Sequence, residues 1–132
     1  MDAKGRFTGD EMKHKDKRTE AEWWVIRPHL RLILCDADLW CERRGVLFIL
    51  TGLIRSGYEQ WAMWKKGISN YEHSVHEYGR GGDASQLLQS ELNPQLLDYI
   101  NSKYIYDPKR PNLKTAIWHG GTAMHLHFQT LE

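Results

Sequence analysis

The sequence predicts a single domain in which helices and short strands are mixed. Three observations carry this expectation. Apolar residues recur at spacings of three and four over residues 27–44 and 94–104, and two tryptophans share a face over 58–66, as in helices with one buried side. The continuous apolar run Val46-Leu47-Phe48-Ile49-Leu50 and the shorter runs 116–119 and 124–129 have the length of strands. A chain of 132 residues, 41% hydrophobic and with six tryptophans, can bury one core.

Taken in order, residues 1–22 are polar and of mixed charge, with no apolar periodicity before Trp23. They read as a flexible arm, or as one that orders only by packing on something else. A single domain is expected over 23–130, and the terminal Leu131-Glu132 has the form of a purification-tag remnant. The first helix is expected at 27–44. Pro28 suits its first turn, where a missing N–H costs nothing, and Gly45 after Arg43 and Arg44 suits its end. Asp36, Asp38 and Glu42 read as its wet face. Cys35 and Cys41 lie six positions apart on it and point in different directions, which argues against a disulfide.

The run 46–50 reads as a strand buried on both faces. It leads through Thr51-Gly52 to Arg55, a basic residue near a strand end that can aim its charge into a cleft. Residues 58–66 read as a short helix ended by Gly67, with Trp61 and Trp64 as core. A further helix is expected from Pro94 to about Tyr104, with Asn93 as its N-cap and Leu96, Leu97, Ile100 and Tyr104 as its buried stripe. The turn-rich 107–112 follows. Last come two strands around Gly120-Gly121, a hairpin signal.

Bulk properties narrow the function classes. A net charge of +1 argues against a dedicated nucleic-acid binder. No apolar run approaches the roughly 20 residues needed to span a bilayer, so no membrane role is expected. The polar N-terminus is unlike a secretory signal peptide, and two unpaired cysteines suit synthesis in a reducing cytoplasm. Nothing in the sequence sets an oligomeric state.

The chemistry-bearing stretch is Ser74-Val75-His76-Glu77-Tyr78-Gly79-Arg80-Gly81-Gly82-Asp83, of the form S-x-H-x-x-G-R-x-x-D. His76 and Asp83, seven positions apart with glycines between them, do not fit one helix face. They fit a loop that curls back into a strand and brings an imidazole and a carboxylate together. In His125-Leu126-His127-Phe128-Gln129, the two histidines at i and i+2 of a strand point to one face. Two imidazoles and a carboxylate are a three-point zinc site with a fourth position open to water. His119, in the first hairpin strand, is within reach of such a site. His14, His29 and His73 read as surface or hydrogen-bonded histidines.

These segments resemble the LAS zinc peptidases, named for lysostaphin, D-Ala-D-Ala peptidases and the sonic hedgehog domain. The nearest likeness is the branch of D-alanyl-D-alanine carboxypeptidases and L-alanyl-D-glutamate endopeptidases, phage endolysins included. It covers about residues 27–129, in Thr51 to Ser56, Ser74 to Asp83 and Met124 to Gln129. The resemblance implies an α+β fold, a small antiparallel sheet carrying the metal with helices packed on one side. It implies Zn2+ as cofactor, with ligands His76, Asp83 and His127. It makes Arg55 the arginine that holds a substrate carbonyl or carboxylate, and Ser74, Arg80 and Gln60 residues that shape the site. The implied function is cleavage of peptidoglycan stem peptides at the bacterial cell wall, of carboxypeptidase or L-Ala-D-Glu endopeptidase type, by a phage-encoded enzyme.

Two positions depart from that pattern. The branch has Asp or Glu as general base three residues before the last ligand, where this chain has Met124, and Gly81 replaces a small residue. His125 stands two residues before the ligand, as in LAS branches with an H-x-H pair, and is the expected acid, base or oxyanion partner. The competing expectations are a catalytically inactive zinc-binding module, which Met124 favours, and a phage structural protein whose arm docks on a partner.

Overall fold

The computed structural model describes residues 12–54, 57–67, 75–119 and 124–132. Five strands form one mixed sheet: β1 (Lys13–His14), β2 (Ile49–Gly52), β3 (Gly81–Ser85), β4 (Ala116–His119) and β5 (His125–Gln129). Their order is β1-β2-β3-β5-β4, with β1 parallel to β2 and every other pair antiparallel. Among the described residues four helices accompany it: α1 (Lys17–Glu22), α2 (Pro28–Glu42), α3 (Gly57–Lys65) and α4 (Leu92–Lys103). A single 3-10 turn, Val75–Tyr78, precedes β3. The expected α+β class is thus found. The sheet is mixed rather than antiparallel, because β1 had no sequence signal of its own.

That strand belongs to the segment expected to be a flexible arm. From Met12 onward the segment packs on this same domain. Lys13 and His14 pair with Ile49 and Leu50, and Asp16 caps α1 by accepting from the Thr19 N–H at 2.9 Å. Arg18 then ties α1 to α3 and to the end of β2. Its guanidinium donates to both Glu59 carboxylate oxygens at 2.8 and 2.9 Å and to the Ile54 carbonyl at 2.9 Å. Met12, Thr19 and Trp23 are buried. Of residues 12–22, Met12 and Thr19 alone are buried, so this stretch carries little apolar signal.

Helix α2 follows its apolar spacing and buries Leu30, Ile33, Leu34, Ala37 and Cys41. It stops as the sequence predicts. Gly45 adopts φ +70°, its N–H reaches the Glu42 carbonyl at 3.0 Å, and the Val46 N–H reaches that of Cys41 at 3.1 Å. These paired bonds satisfy carbonyls that a helix end leaves open. Cys35 and Cys41 are free thiols, and burial pushes both up to about 12.

The expected wet face of α2 is wet only in part. Asp36 accepts from the hydroxyls of Tyr99 and Tyr104 at 2.8 and 2.7 Å and pairs with Lys103 at 2.7 Å, which joins α2 to α4. Asp38 is buried and faces the Lys13 ammonium at 3.5 Å. Carboxylates on a helix were read from periodicity alone, which does not register partners arriving from distant segments.

The strand expected at 46–50 is β2, displaced to 49–52, and Leu47 is exposed where burial on both faces was expected. Helix α4 starts at Leu92, so Asn93 lies inside the first turn instead of capping it. Its side chain is turned back, accepting from the Leu87 N–H at 2.8 Å and donating to the Ser90 carbonyl at 3.1 Å. Trp61 and Trp64, expected in the core, are 41% and 39% exposed, and Lys65 lies over both rings. Among the residues of α3 whose burial is described, Gln60 is the fully buried one.

The strand period of two divides the sheet's central residues between its faces. Gly82, Ala84, Leu126 and Phe128 face α2 and α4. A Cβ on Gly82 would lie 3.2 Å from Leu53 and 3.3 Å from Leu34, so the core closes tightly under β3. Phe128 meets Phe48 edge to face at 5.7 Å between centroids. Asp83, His125, His127 and Gln129 face the other way. Among the described residues, no helix is long and apolar enough to cross a membrane.

Candidate metal centre

Register brings the site residues of the two central strands together. Asp83 is paired with His127, and Ser85 with His125. On the outer side His119 is paired with His125 and Ile117 with His127. Across β2, Gly52 stands opposite Asp83 at an irregularity in the ladder. A Cβ at that glycine would lie 3.8 Å from Asp83 Oδ2. The smallest residue therefore sits beside the central carboxylate.

His76 enters from the 3-10 turn. Gly79 ends that turn at φ +67°, and a Cβ there would lie 3.3 Å from the Ile26 Cα. The Gly79 carbonyl accepts from the Arg27 N–H at 2.9 Å, which pins the turn to the segment entering α2. Only glycine combines that φ with so close an approach of two backbones. The sequence expectation of a loop that folds back into a strand is met by this turn and β3.

Asp83 is the hub. Its Oδ1 lies 2.8 Å from His127 Nδ1 and 3.5 Å from His125 Nε2, and its Oδ2 lies 3.3 Å from His76 Nε2. One nitrogen from each of His76 and His127 and a carboxylate oxygen of Asp83 all lie within 4.8 Å of one another. The far ring nitrogens of those two histidines are also engaged. His76 Nδ1 is 3.0 Å from the Leu53 carbonyl, an acceptor only, so Nδ1 carries a proton and Nε2 is the nitrogen turned to Asp83. His127 Nε2 is 3.1 Å from Gln129 Oε1.

The electrostatics follow from this packing. Burial pushes the Asp83 carboxyl up, but hydrogen bonds from His127 and His76 and their charge outweigh it and hold the group well below the usual carboxylate range. Asp83 is therefore a fixed anion among imidazoles. His119 stacks at 5.1 Å from His125 and 5.6 Å from His127 between ring centroids. Burial, then the nearby His127 and His125, lower its pKa below the ordinary histidine value. Imidazole and carboxylate groups whose directions are preset by such partners are the donor chemistry that zinc takes.

The structure thus brings His76, Asp83, His127, His125 and His119 together. Arg80 adjoins β3, and its Nε is buried without a hydrogen-bond partner among the described residues. Gln60 is buried on α3. Met124, which departs from the acid of the pattern that the sequence resembles, is 41% exposed. Arg55, Ser74 and His73 lie outside the described residues. Two participants escaped the sequence reading, the Leu53 carbonyl and Gln129. The second had a usable signal, since Gln129 follows His125 and His127 on the same alternating strand face.

No family model matches the chain, and no curated protein matches it. Among solved structures, the fold is similar to that of the L-Ala D-Glu endopeptidase ChiX of Serratia marcescens. The TM-score is 0.58 at 17% sequence identity, over 93% of this chain and 95% of that chain. The likeness spans nearly the whole of both chains and is one of fold.

Proposed function

We propose that this protein is a zinc-dependent peptidase acting on the stem peptides of peptidoglycan, of the L-Ala-D-Glu endopeptidase type. The observation that carries the proposal is the cluster of His76, Asp83 and His127, one anion between two imidazoles whose donor atoms converge. The shared fold with an L-Ala D-Glu endopeptidase supports the choice of substrate.

His76 Nε2, Asp83 and His127 Nδ1 would hold the zinc. Bound there, zinc supplies Lewis acidity to the scissile carbonyl and lowers the pKa of water. The chain's own groups do the remainder. Asp83, anionic and held by three histidines, fixes the charge of the site and the directions of its ligands. His125 takes a proton from the attacking water and returns it to the leaving amine, so that water is added across the peptide bond with no net proton change. His119, lowered by burial and its neighbours, is a neutral imidazole beside it at neutral pH. Arg55 would pair with a substrate carboxylate or the developing negative charge, with Ser74, Arg80 and Gln60 shaping the walls.

The test is hydrolysis of a peptide panel by the chain loaded with one equivalent of zinc. The panel holds L-Ala-D-Glu and D-Ala-D-Ala peptides and intact peptidoglycan. Release of new amines from the L-Ala-D-Glu bond, abolished in His127→Ala, is the expected result. Cleavage only at D-Ala-D-Ala would make it a carboxypeptidase. Zinc uptake with no hydrolysis of any substrate would leave the second reading, a metal-binding module without turnover, which the exposed Met124 at the usual base position favours.

A further inference from the structure

The two histidines of the proposed ligand set are held from behind by different devices. His76 is fixed by a backbone carbonyl, that of Leu53, at 3.0 Å. His127 is fixed by a side chain, Gln129, two residues along the same strand. An amide can turn either end toward an imidazole, so its direction must be set by something else. The Gln129 amide nitrogen lies 2.8 Å from the Lys114 carbonyl, which can only accept, so the NH2 end faces Lys114. The amide oxygen is then the end that faces His127 Nε2 at 3.1 Å. An oxygen there requires a proton on Nε2. The other nitrogen, Nδ1, faces the Asp83 carboxylate at 2.8 Å, to which its N–H donates in the absence of a cation.

We propose that Gln129 is the positioning residue of the metal centre. Through a relay from the Lys114 carbonyl it holds the ring by its Nε2–H, so that Nδ1 is the nitrogen a cation would take, in place of the proton that Nδ1 directs at Asp83 without it. The proposal rests on His127 being a ligand. It adds that the segment before β4, remote from the ligands in sequence, sets the orientation of one of them. Removing such partners costs about 10–100-fold in metal affinity in known sites.

The backbone pairing of Gln129, N–H to the Thr115 carbonyl at 2.9 Å, does not involve its side chain, so substitutions there spare the strand. Gln129→Met removes the acceptor and keeps the length. Two measurements are made on the full chain. In the metal-free protein labelled with 15N-histidine, NMR reads whether the His127 Nε2 proton is protected from exchange with water. Competition against a chromophoric chelator reads zinc affinity, and thermal melts check folding.

The expected result is a protected proton in wild type, lost to exchange in Gln129→Met. Zinc affinity should fall about 10–100-fold in Gln129→Met. The proposal is overturned if the proton stays protected in Gln129→Met, or if Gln129→Met folds as wild type does and binds zinc equally well. A protected proton in a wild-type chain that takes up no zinc overturns the metal reading under Proposed function, while that same resonance supports the orientation of His127 by Gln129.

Discussion

Replacing Asp83 with asparagine keeps the shape of the hub and removes its charge. In the native arrangement one carboxylate faces His127 at 2.8 Å, His76 at 3.3 Å and His125 at 3.5 Å. The amide cannot reproduce this, because one of its ends donates and would oppose an imidazole nitrogen. It also removes the one anion of the three-residue group. Structural zinc sites with four ligands have apparent binding free energies of about 10–16 kcal/mol, or roughly 3–4 kcal/mol per ligand. Loss of Asp83 as a ligand should therefore weaken zinc by about 100–1,000-fold. Competition with a chromophoric chelator at pH 7 measures this directly, and melts in excess chelator separate it from any folding defect. If Asp83→Asn binds zinc within about threefold of wild type, the carboxylate is not a ligand and the imidazoles hold the ion without it.

Three further outcomes are expected. Gly79→Ala places a Cβ 3.3 Å from the Ile26 Cα at φ +67°, and should cost about 1–3 kcal/mol in a denaturant titration while weakening zinc through a displaced His76; unchanged stability would show that the turn is not pinned as described. The Asp36 carboxyl is pushed up by burial, but Lys103, Tyr104 and Tyr99 outweigh this and hold it below its ordinary value. A folded-state pKa below the unfolded one gives stability that is present above about pH 4 and lost as pH falls below it. Asp36→Asn should thus cost about 2 kcal/mol at pH 7, from the tyrosine bonds more than from exposed Lys103, and less at pH 3; an equal loss at both pH values would contradict the pairing. His125→Ala should retain zinc and lose turnover, and a near-native rate would pass the proton-transfer role to His119.

The parts of the fold legible in the sequence were those in which one segment carries its own signal. Helix α2 shows its spacing of three and four, and its end shows Gly45. The hairpin strands flank Gly120-Gly121, and the histidines of β5 alternate with Leu126 and Phe128. His76, Asp83 and His127 were legible as a set because His125 and His127 share a strand face and glycines surround Asp83. What was not legible depends on partners distant in the chain. Strand β1 has two residues and exists only by pairing with β2. Asp36 looks solvated until Tyr99 and Tyr104 arrive from α4. Trp61 and Trp64 carry large apolar surface, yet it is Gln60, just before them, that turns inward. The direction of the Gln129 amide is set by a carbonyl fifteen positions away.

The central claim is that zinc lies among His76, Asp83 and His127. Anomalous diffraction at the zinc edge, from crystals of the chain loaded with one equivalent of the metal, tests it most directly. The account predicts one strong peak bounded by His76 Nε2, the Asp83 carboxylate and His127 Nδ1, with His125 and His119 beside it and not coordinated. A peak held instead by His119 and His125, or none in this cluster, would contradict it.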